Sequence, residues 1–382
     1  MKQSKKLTKT QAKALWISAQ GLHQKGCFGS GPLATTKTIE QLGYVQIDTI
    51  NVIERCHHHI LYSRIPNYHQ DHLRKAQSID KTIFEYWTHA LSYVPTKDFR
   101  YFQIQMKKNL ESPHAWFNSV TKQDLQKVFR LIRKDGPISI REITDDVLVD
   151  KTHDWGSRKP SKRALQLAFN QGKLVISERV GMLKKYALTD RHFDWKIKPK
   201  SASERELNTY LLERALRSQE LVSLDSVCYL NSSRKTALGA LIQKQVENQE
   251  LISIQIEGSE NIEHWVRPES LEKPIVIDSE RAHILSPFDP LIIQRKRLKL
   301  FFDYQHLFEA YIPKDKRVYG YFTLPVLIED KIVALLDLKT DRQSKKLLIQ
   351  NWIWRPKQKT KHFKRMIETE LNQFEKFQFQ SE

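Results

Sequence analysis

Apolar positions recur at helical spacing through "LTKTQAKALWISAQGL", where Leu7, Ala12, Leu15, Trp16 and Leu22 predict an amphipathic helix. The Gly-rich stretch "GCFGSGP" breaks it, and "TTKTIEQLGY" predicts a short helix that stops at Gly43. The period then changes. In "GYVQIDTINVIE", Val45 and Ile47 alternate with Gln46 and Asp48. That is the pattern of a short extended ribbon with one face buried, in which residues two apart point the same way. Helical spacing returns in "TINVIERCHHHILYSR", with Ile50, Ile53, Cys56, Ile60 and Leu61 on one face. Helix, short helix, turn and longer helix is the helix-turn-helix order.

The order recurs twice. "KQDLQKVFRLIRKDGPISIREITDDV" predicts a helix, a turn at Gly136-Pro137 and a short helix. "SKRALQLAFNQGKLVISERVGMLKKYALT" then predicts a longer helix and two short strands. "SERELNTYLLERALRSQELVSLDSVCYL" followed by "SSRKTALGALIQKQVENQELISIQIEG" repeats the theme. Each block carries the winged helix-turn-helix pattern. The two later blocks align Ser161-Lys162-Arg163 with Ser233-Arg234-Lys235, each at the start of an expected recognition helix. Basic side chains at a helix N-terminus make a phosphate site. Past Pro274 the chain is rich in β-branched and aromatic residues cut by turn signals, predicting antiparallel strands curled into a small barrel. "KTKHFKRMIETELNQFEKFQF" predicts a closing amphipathic helix. The expected class is α+β, with three tandem winged helix-turn-helix units followed by a small antiparallel β-barrel. The expected domains are 1–120, 121–198, 199–273 and 274–382.

Charge narrows the function. The 382 residues include 63 basic and 44 acidic ones, for a formal net charge of +19. An excess this large predicts a polyanionic partner, nucleic acid before an anionic membrane surface. No apolar run is long enough to span a bilayer. The basic N-terminus lacks the apolar core of a signal peptide. Cys27, Cys56 and Cys228 are far apart and form no CxxC pair, so neither a disulfide framework nor a zinc ribbon is indicated, and a reducing cytoplasm is expected. His57-His58-His59 fan out by about 100° per residue on a helix and cannot converge on one ion. They are expected to be solvated or to touch phosphate. GxxxxGK[ST], GxGxxG and GxSxG are absent, so no nucleotide cofactor or serine elbow is expected.

One pair of residues resists a purely structural reading. Asp48 precedes "TINVIE" and has an ordinary role available as a helix cap. Gln46, two residues earlier on the same side, has none. At this point the residues carry a family likeness. "LGYVQIDTINVIERCHHHILYSRI" resembles the catalytic segment of the winged-helix DNA glycosylases, the AlkZ and AlkX (YcaQ) family. "LSPFDPLIIQRKRLKLFFDYQHLFEAYIPKDKRVYGYFTLPVL" resembles their second signature. The likeness extends over essentially the whole chain, and the two segments in order are specific. Members carry Gln-x-Gln or Gln-x-Asp at the catalytic position. Gln46-Ile47-Asp48 is similar to the AlkX branch, which unhooks interstrand crosslinks and removes bulky N7-alkylguanine adducts. The resemblance implies a C-shaped array, catalytic roles for Gln46 and Asp48, and double-stranded DNA bearing alkylated purines or crosslinks as partner. No metal or other cofactor is expected, and a monomer is expected.

The chemistry fits so small a set of groups. Alkylation at guanine N7 makes the base cationic and already a good leaving group. The sugar becomes oxocarbenium-like as the bond breaks. A carboxylate near the anomeric carbon stabilises that cation and takes a proton from the attacking water, the role expected of Asp48, while Gln46 holds the water. No lysine lies beside the motif to form a Schiff base, so a monofunctional enzyme is expected. A hairpin around "IPKDKRVYGYF", with strands at Leu307 to Ile312 and Val318 to Leu324, is expected to present Lys314, Lys316 and Arg317 to DNA. The alternative is a winged-helix transcription regulator, which has little use for a carboxylate facing DNA.

Overall fold

The computed structural model describes residues 5–151, 157–272 and 274–380, so the expected boundary at 273/274 touches a residue outside the described set. The described residues form an α+β chain with fourteen α-helices and four small sheets of three or four strands. None of these helices is long and apolar enough to cross a membrane. The chain divides into two compact units. One comprises the residues up to His72, His89–Leu91 and those from Asn208 onward; the other comprises Leu73–Thr88 and Ser92–Leu207.

In the first unit the N-terminal helix runs from Lys9 to Ala19, started by a Thr8/Gln11 capping box. It buries Ala12, Leu15 and Trp16 against Ile254, Ile256, Leu291 and Phe301. Leu7 lies outside that helix. It belongs to a strand, Lys5–Leu7, that pairs in parallel with Ile254–Ile256. The next helix, Gly31–Leu42, ends as predicted at Gly43, which has a φ of 78°. A Cβ at that position would also strike the Arg214 side chain, so Gly43 both stops the helix and lets the chain turn into the ribbon.

The expected long helix over "TINVIERCHHHILYSR" is shortened to Cys56–Tyr62, with Arg55 at its cap position. Residues 49–55 are irregular. Two physical causes are visible. Thr49, Ile50, Val52 and Ile53 are β-branched and weak helix formers. The backbone groups of the segment also bond elsewhere: Ile50 N donates to Asp48 Oδ1 at 2.8 Å, Thr340 N to Val52 O at 2.9 Å, and Glu54 N to Gln378 Oε1 at 2.6 Å. The three histidines are not solvated either. His57 and His59 are buried. His59 Nε2 meets Ile284 O at 2.8 Å, and His58 Nδ1 meets Tyr68 OH at 2.8 Å. Burial pushes His58 down to about 3 and His59 to about 4, so both stay neutral and act as packing groups.

The C-terminal strands form one antiparallel sheet in the order Ala282–Ile284, Thr323–Ile328, Lys331–Asp341 and Lys346–Trp354. It is open rather than a closed barrel: among the described residues no ladder joins the first strand to the last. Four strands are too few to close around a core. The helix Lys361–Gln378, capped by Thr360, packs on both edge strands instead. The two family-like segments meet inside this unit. Arg64, fully buried, donates to Asp289 Oδ2 at 2.7 Å and Oδ1 at 2.9 Å, to Gln20 O at 2.7 Å and to Ile60 O at 3.1 Å. Asp289 in turn accepts Leu291 N at 2.9 Å and starts the helix Pro290–Ile293. A buried pair with its donors and acceptors this well matched specifies one arrangement of the two segments, and removal of either partner leaves an uncompensated charge.

In the second unit the helix Lys122–Asp135 is followed by a short strand, Ile138–Ser139. The predicted short helix is a single 3-10 turn, Ile140–Glu142, closed by a Ser139/Glu142 capping box. The helix Pro160–Asn170 then leads into the hairpin Leu174–Val180 and Leu183–Leu188. Arg179 of this hairpin makes a bidentate pair with buried Glu85, 2.6 Å on each oxygen, which fixes the hairpin to the strand Ile83–Trp87. The later block has the same element order: helices Glu204–Gln219, Leu224–Val227 and Lys235–Glu247, then strands Ile252–Ile256 and His264–Val266.

Candidate active site

The ribbon of Gln46 and Asp48 is short. Val45–Gln46 is its only regular part, and Ile47 N extends the pairing to Leu91 O at 2.8 Å. Val45 and Ile47 are buried, as the alternation predicts. Gln46 is buried too, which the alternation does not predict. Its cover is His89, whose Nε2 lies 3.1 Å from Gln46 Oε1. The His89 ring stands edge-on to Tyr44 at 5.1 Å and to Tyr229 at 5.6 Å, and Tyr229 OH is anchored on Ile293 O at 3.0 Å. Burial, with the Arg214 charge second, pushes His89 down to about 4. A neutral ring beside a carboxamide oxygen donates its N–H to that oxygen. The amide nitrogen of Gln46 has no hydrogen-bond partner among the described residues.

Asp48 is half-buried. Its Oδ1 accepts the Ile50 N–H at 2.8 Å in an Asx-turn, so the carboxylate is oriented by its own loop and caps no helix. Its other oxygen has no hydrogen-bond partner among the described residues. Beneath the ribbon, the Cys56 thiol donates to Gln46 O at 3.2 Å; burial and then the Asp48 charge push that thiol well up. Cys56 is therefore an inert packing group, and the Asp48 carboxylate is close enough to be felt there. The loop behind the pair is fastened at Val52 and Glu54, and Glu54 Oε2 accepts from Gln70 at 2.9 Å. Sequence reading missed His89. The alternating "IFEYWTHALSYVP" signals a hairpin with His89 in its turn, but a contact 43 residues away leaves no local mark.

The basic candidates fall into two sets. Lys162 is exposed in the first turn of its helix. Arg163 is buried, and each of its three nitrogens donates internally: Nε to Ser157 O at 2.6 Å, Nη1 to Ser119 Oγ at 2.5 Å and Nη2 to Asp150 O at 2.8 Å. It is therefore withdrawn from the phosphate-facing set. Arg234 Nη1 bonds Asn208 Oδ1 at 2.7 Å, and Lys235 pairs with Asp225. The expected hairpin over residues 307–324 is absent, since the first strand begins only at Thr323. Buried Glu309 instead accepts from Val318 N at 2.6 Å, Tyr319 N at 2.7 Å and Gly320 N at 3.2 Å, replacing strand pairing with one carboxylate. Gly320 has no room for a Cβ beside the Asp337 carboxylate. Lys314 and Lys316 are exposed in a 3-10 turn of this loop. Arg317 lies over the Tyr321 ring at 4.8 Å and donates to Ile312 O at 2.8 Å.

Comparison with known proteins bears on this arrangement. The family model described as DNA glycosylase AlkZ-like matches residues 39–377, a span that holds Gln46, Asp48, His89 and both ends of the Arg64–Asp289 pair. Among solved structures, the Streptomyces sahachiroi DNA glycosylase AlkZ is similar in fold, with a TM-score of 0.62 at 14% identity, covering 98% of this chain and 97% of that one.

Proposed function

The chain belongs to the AlkZ-like DNA glycosylase family, and from that premise we propose that it hydrolyses the N-glycosidic bond of cationic N7-alkylguanine in duplex DNA, including the bonds of interstrand crosslinks. The observation that carries this reading is the Asp48 carboxylate. One oxygen is held by the Ile50 N–H, and among the described residues neither the other oxygen nor the amide nitrogen of Gln46, two residues earlier, has a hydrogen-bond partner. The C1′–N9 bond breaks with its electron pair passing to the base, which neutralises the N7 cation. Asp48 stabilises the oxocarbenium-like sugar and accepts a proton from water as the water oxygen bonds to C1′. Gln46 donates to the water oxygen. The product is an abasic site, because no lysine stands in residues 43–54 to form a Schiff base.

The proposal extends to the scaffold. The helix, helix and hairpin blocks are read as winged helix-turn-helix units, with Lys162, Arg234, Lys235, Lys314 and Lys316 meeting DNA phosphates in a salt-dependent way. A monomer acting in the cytoplasm on chromosomal DNA fits this reading. A regulator without activity would not keep a half-exposed carboxylate at the centre of its DNA-facing motif. The test is a matched set of duplexes bearing N7-methylguanine, an N7–N7 nitrogen-mustard crosslink, uracil and 8-oxoguanine, compared under single-turnover conditions. Release of the two N7 adducts, with uracil and 8-oxoguanine untouched, is expected. Efficient uracil excision with no release of the N7 adducts would contradict the leaving-group argument.

A further inference from the structure

We propose that His89 is a positioning residue for the hydrolytic water: by donating from Nε2 to Gln46 Oε1, it fixes which end of the Gln46 amide faces the reaction. The proposal rests on the reading of Gln46 and Asp48 given above. A carboxamide is nearly symmetric in shape, and a free one presents either its oxygen or its nitrogen to a neighbour. The two ends do opposite things to a nucleophilic water. An amide N–H donates to the water oxygen and leaves both water protons available, one of them for the Asp48 carboxylate. An amide oxygen would compete with Asp48 for those protons and leave the water oxygen unheld.

The geometry selects the first arrangement. Gln46 Oε1 is taken by the His89 ring at 3.1 Å, while the Gln46 amide nitrogen has no hydrogen-bond partner among the described residues. His89 is itself held between the Tyr44 and Tyr229 rings, so its N–H has a fixed direction. Tyr229 is fixed in turn by its bond to Ile293 O. Burial keeps the ring neutral, with a single N–H, at neutral pH. A ring in that state is not the acid that protonates a leaving base, so its contribution passes through Gln46.

Two measurements on the full chain test this. Nitrogen-15 NMR of histidine-labelled protein at pH 7 should show His89 as the neutral tautomer with its proton on Nε2, with that signal moving in Gln46→Ala. In single-turnover release from an N7-methylguanine duplex, His89→Phe keeps the ring stacking but removes the donor. It should slow release roughly tenfold, about the worth of one hydrogen bond. His89→Gln, whose amide N–H can donate, should recover part of that loss. The double variant of Gln46→Ala and His89→Phe should be no slower than Gln46→Ala alone. Wild-type release by His89→Phe, or losses that multiply in the double variant, would overturn the positioning role. The two readings fail separately. An Nδ1–H tautomer with full dependence on Asp48 overturns the positioning role alone. An intact Nε2–H tautomer with release that no longer depends on Asp48 overturns the catalytic reading, and the positioning role with it.

Discussion

Ser161-Lys162-Arg163 and Ser233-Arg234-Lys235 open two helices with nearly the same residue types, and the protein uses them differently. At the first, Asp146 already occupies the anion position. Its carboxylate accepts from Ser161 Oγ at 2.6 Å and Ser161 N at 3.3 Å, and pairs with Lys127 at 2.9 Å. Arg163 turns inward to hold Ser119, Asp150 and Ser157. At the second, no side chain caps the helix Lys235–Glu247, Ser233 is exposed, Arg234 bonds Asn208 and Lys235 pairs with the exposed carboxylate of Asp225. A helix start offers its own N–H groups and dipole to a phosphate only where the fold has not already filled that end, although an exposed side chain there, such as Lys162, can still reach one. At the first start an acid from the preceding loop fills it. The second start is approached through a 3-10 turn, Ser232–Arg234, and keeps a positive dipole end with no side-chain cap, which favours an external anion.

The sharpest test of that contrast is Arg163→Ala. It strands Ser119 Oγ and the carbonyls of Asp150 and Ser157 and opens a void, so urea unfolding should show a loss on the order of 2–3 kcal/mol. Arg234→Ala should instead leave stability within about 0.5 kcal/mol while lowering DNA affinity and reducing the salt slope by roughly one ion. Equal stability losses in the two variants would erase the distinction. A smaller effect is expected for Asp225→Asn, which releases Lys235 from its partner. DNA binding should tighten by a few-fold at low salt and converge with wild type as salt rises. Unchanged affinity at low salt would place Lys235 away from DNA.

The same contrast between local and distant determinants explains what the sequence made legible. The helices Lys9–Ala19 and Lys361–Gln378 lie within the stretches their apolar period marks, behind the caps Thr8 and Thr360, while Gly31–Leu42 stops at Gly43 as expected but starts earlier, inside the Gly-rich stretch read as a break. Two polar residues on an apolar ribbon were enough to single out Gln46 and Asp48. The strand Lys5–Leu7 was not legible, because its partner Ile254–Ile256 lies far along the chain. "TINVIE" mimics a helix in its spacing, and only the Asx-turn at Asp48 and the bonds to Thr340 and Gln378 divert it. The loop clasped by Glu309 imitates a hairpin in composition alone. Likewise, nothing within reach of Gln46 in sequence announces His89.

In the proposed mechanism Asp48 supplies the charge that stabilises the sugar cation as the glycosidic bond breaks. Asp48→Asn keeps the size of the side chain and an oxygen able to accept the Ile50 N–H, so the Asx-turn is preserved and only the charge is lost. Single-turnover release from an N7-methylguanine duplex should fall by about a hundredfold or more, the scale on which removal of one electrostatic stabiliser is felt, with DNA affinity unchanged or higher. Gln46→Ala should fall less. Release by Asp48→Asn at the wild-type rate would make Asp48 a turn residue and contradict the account.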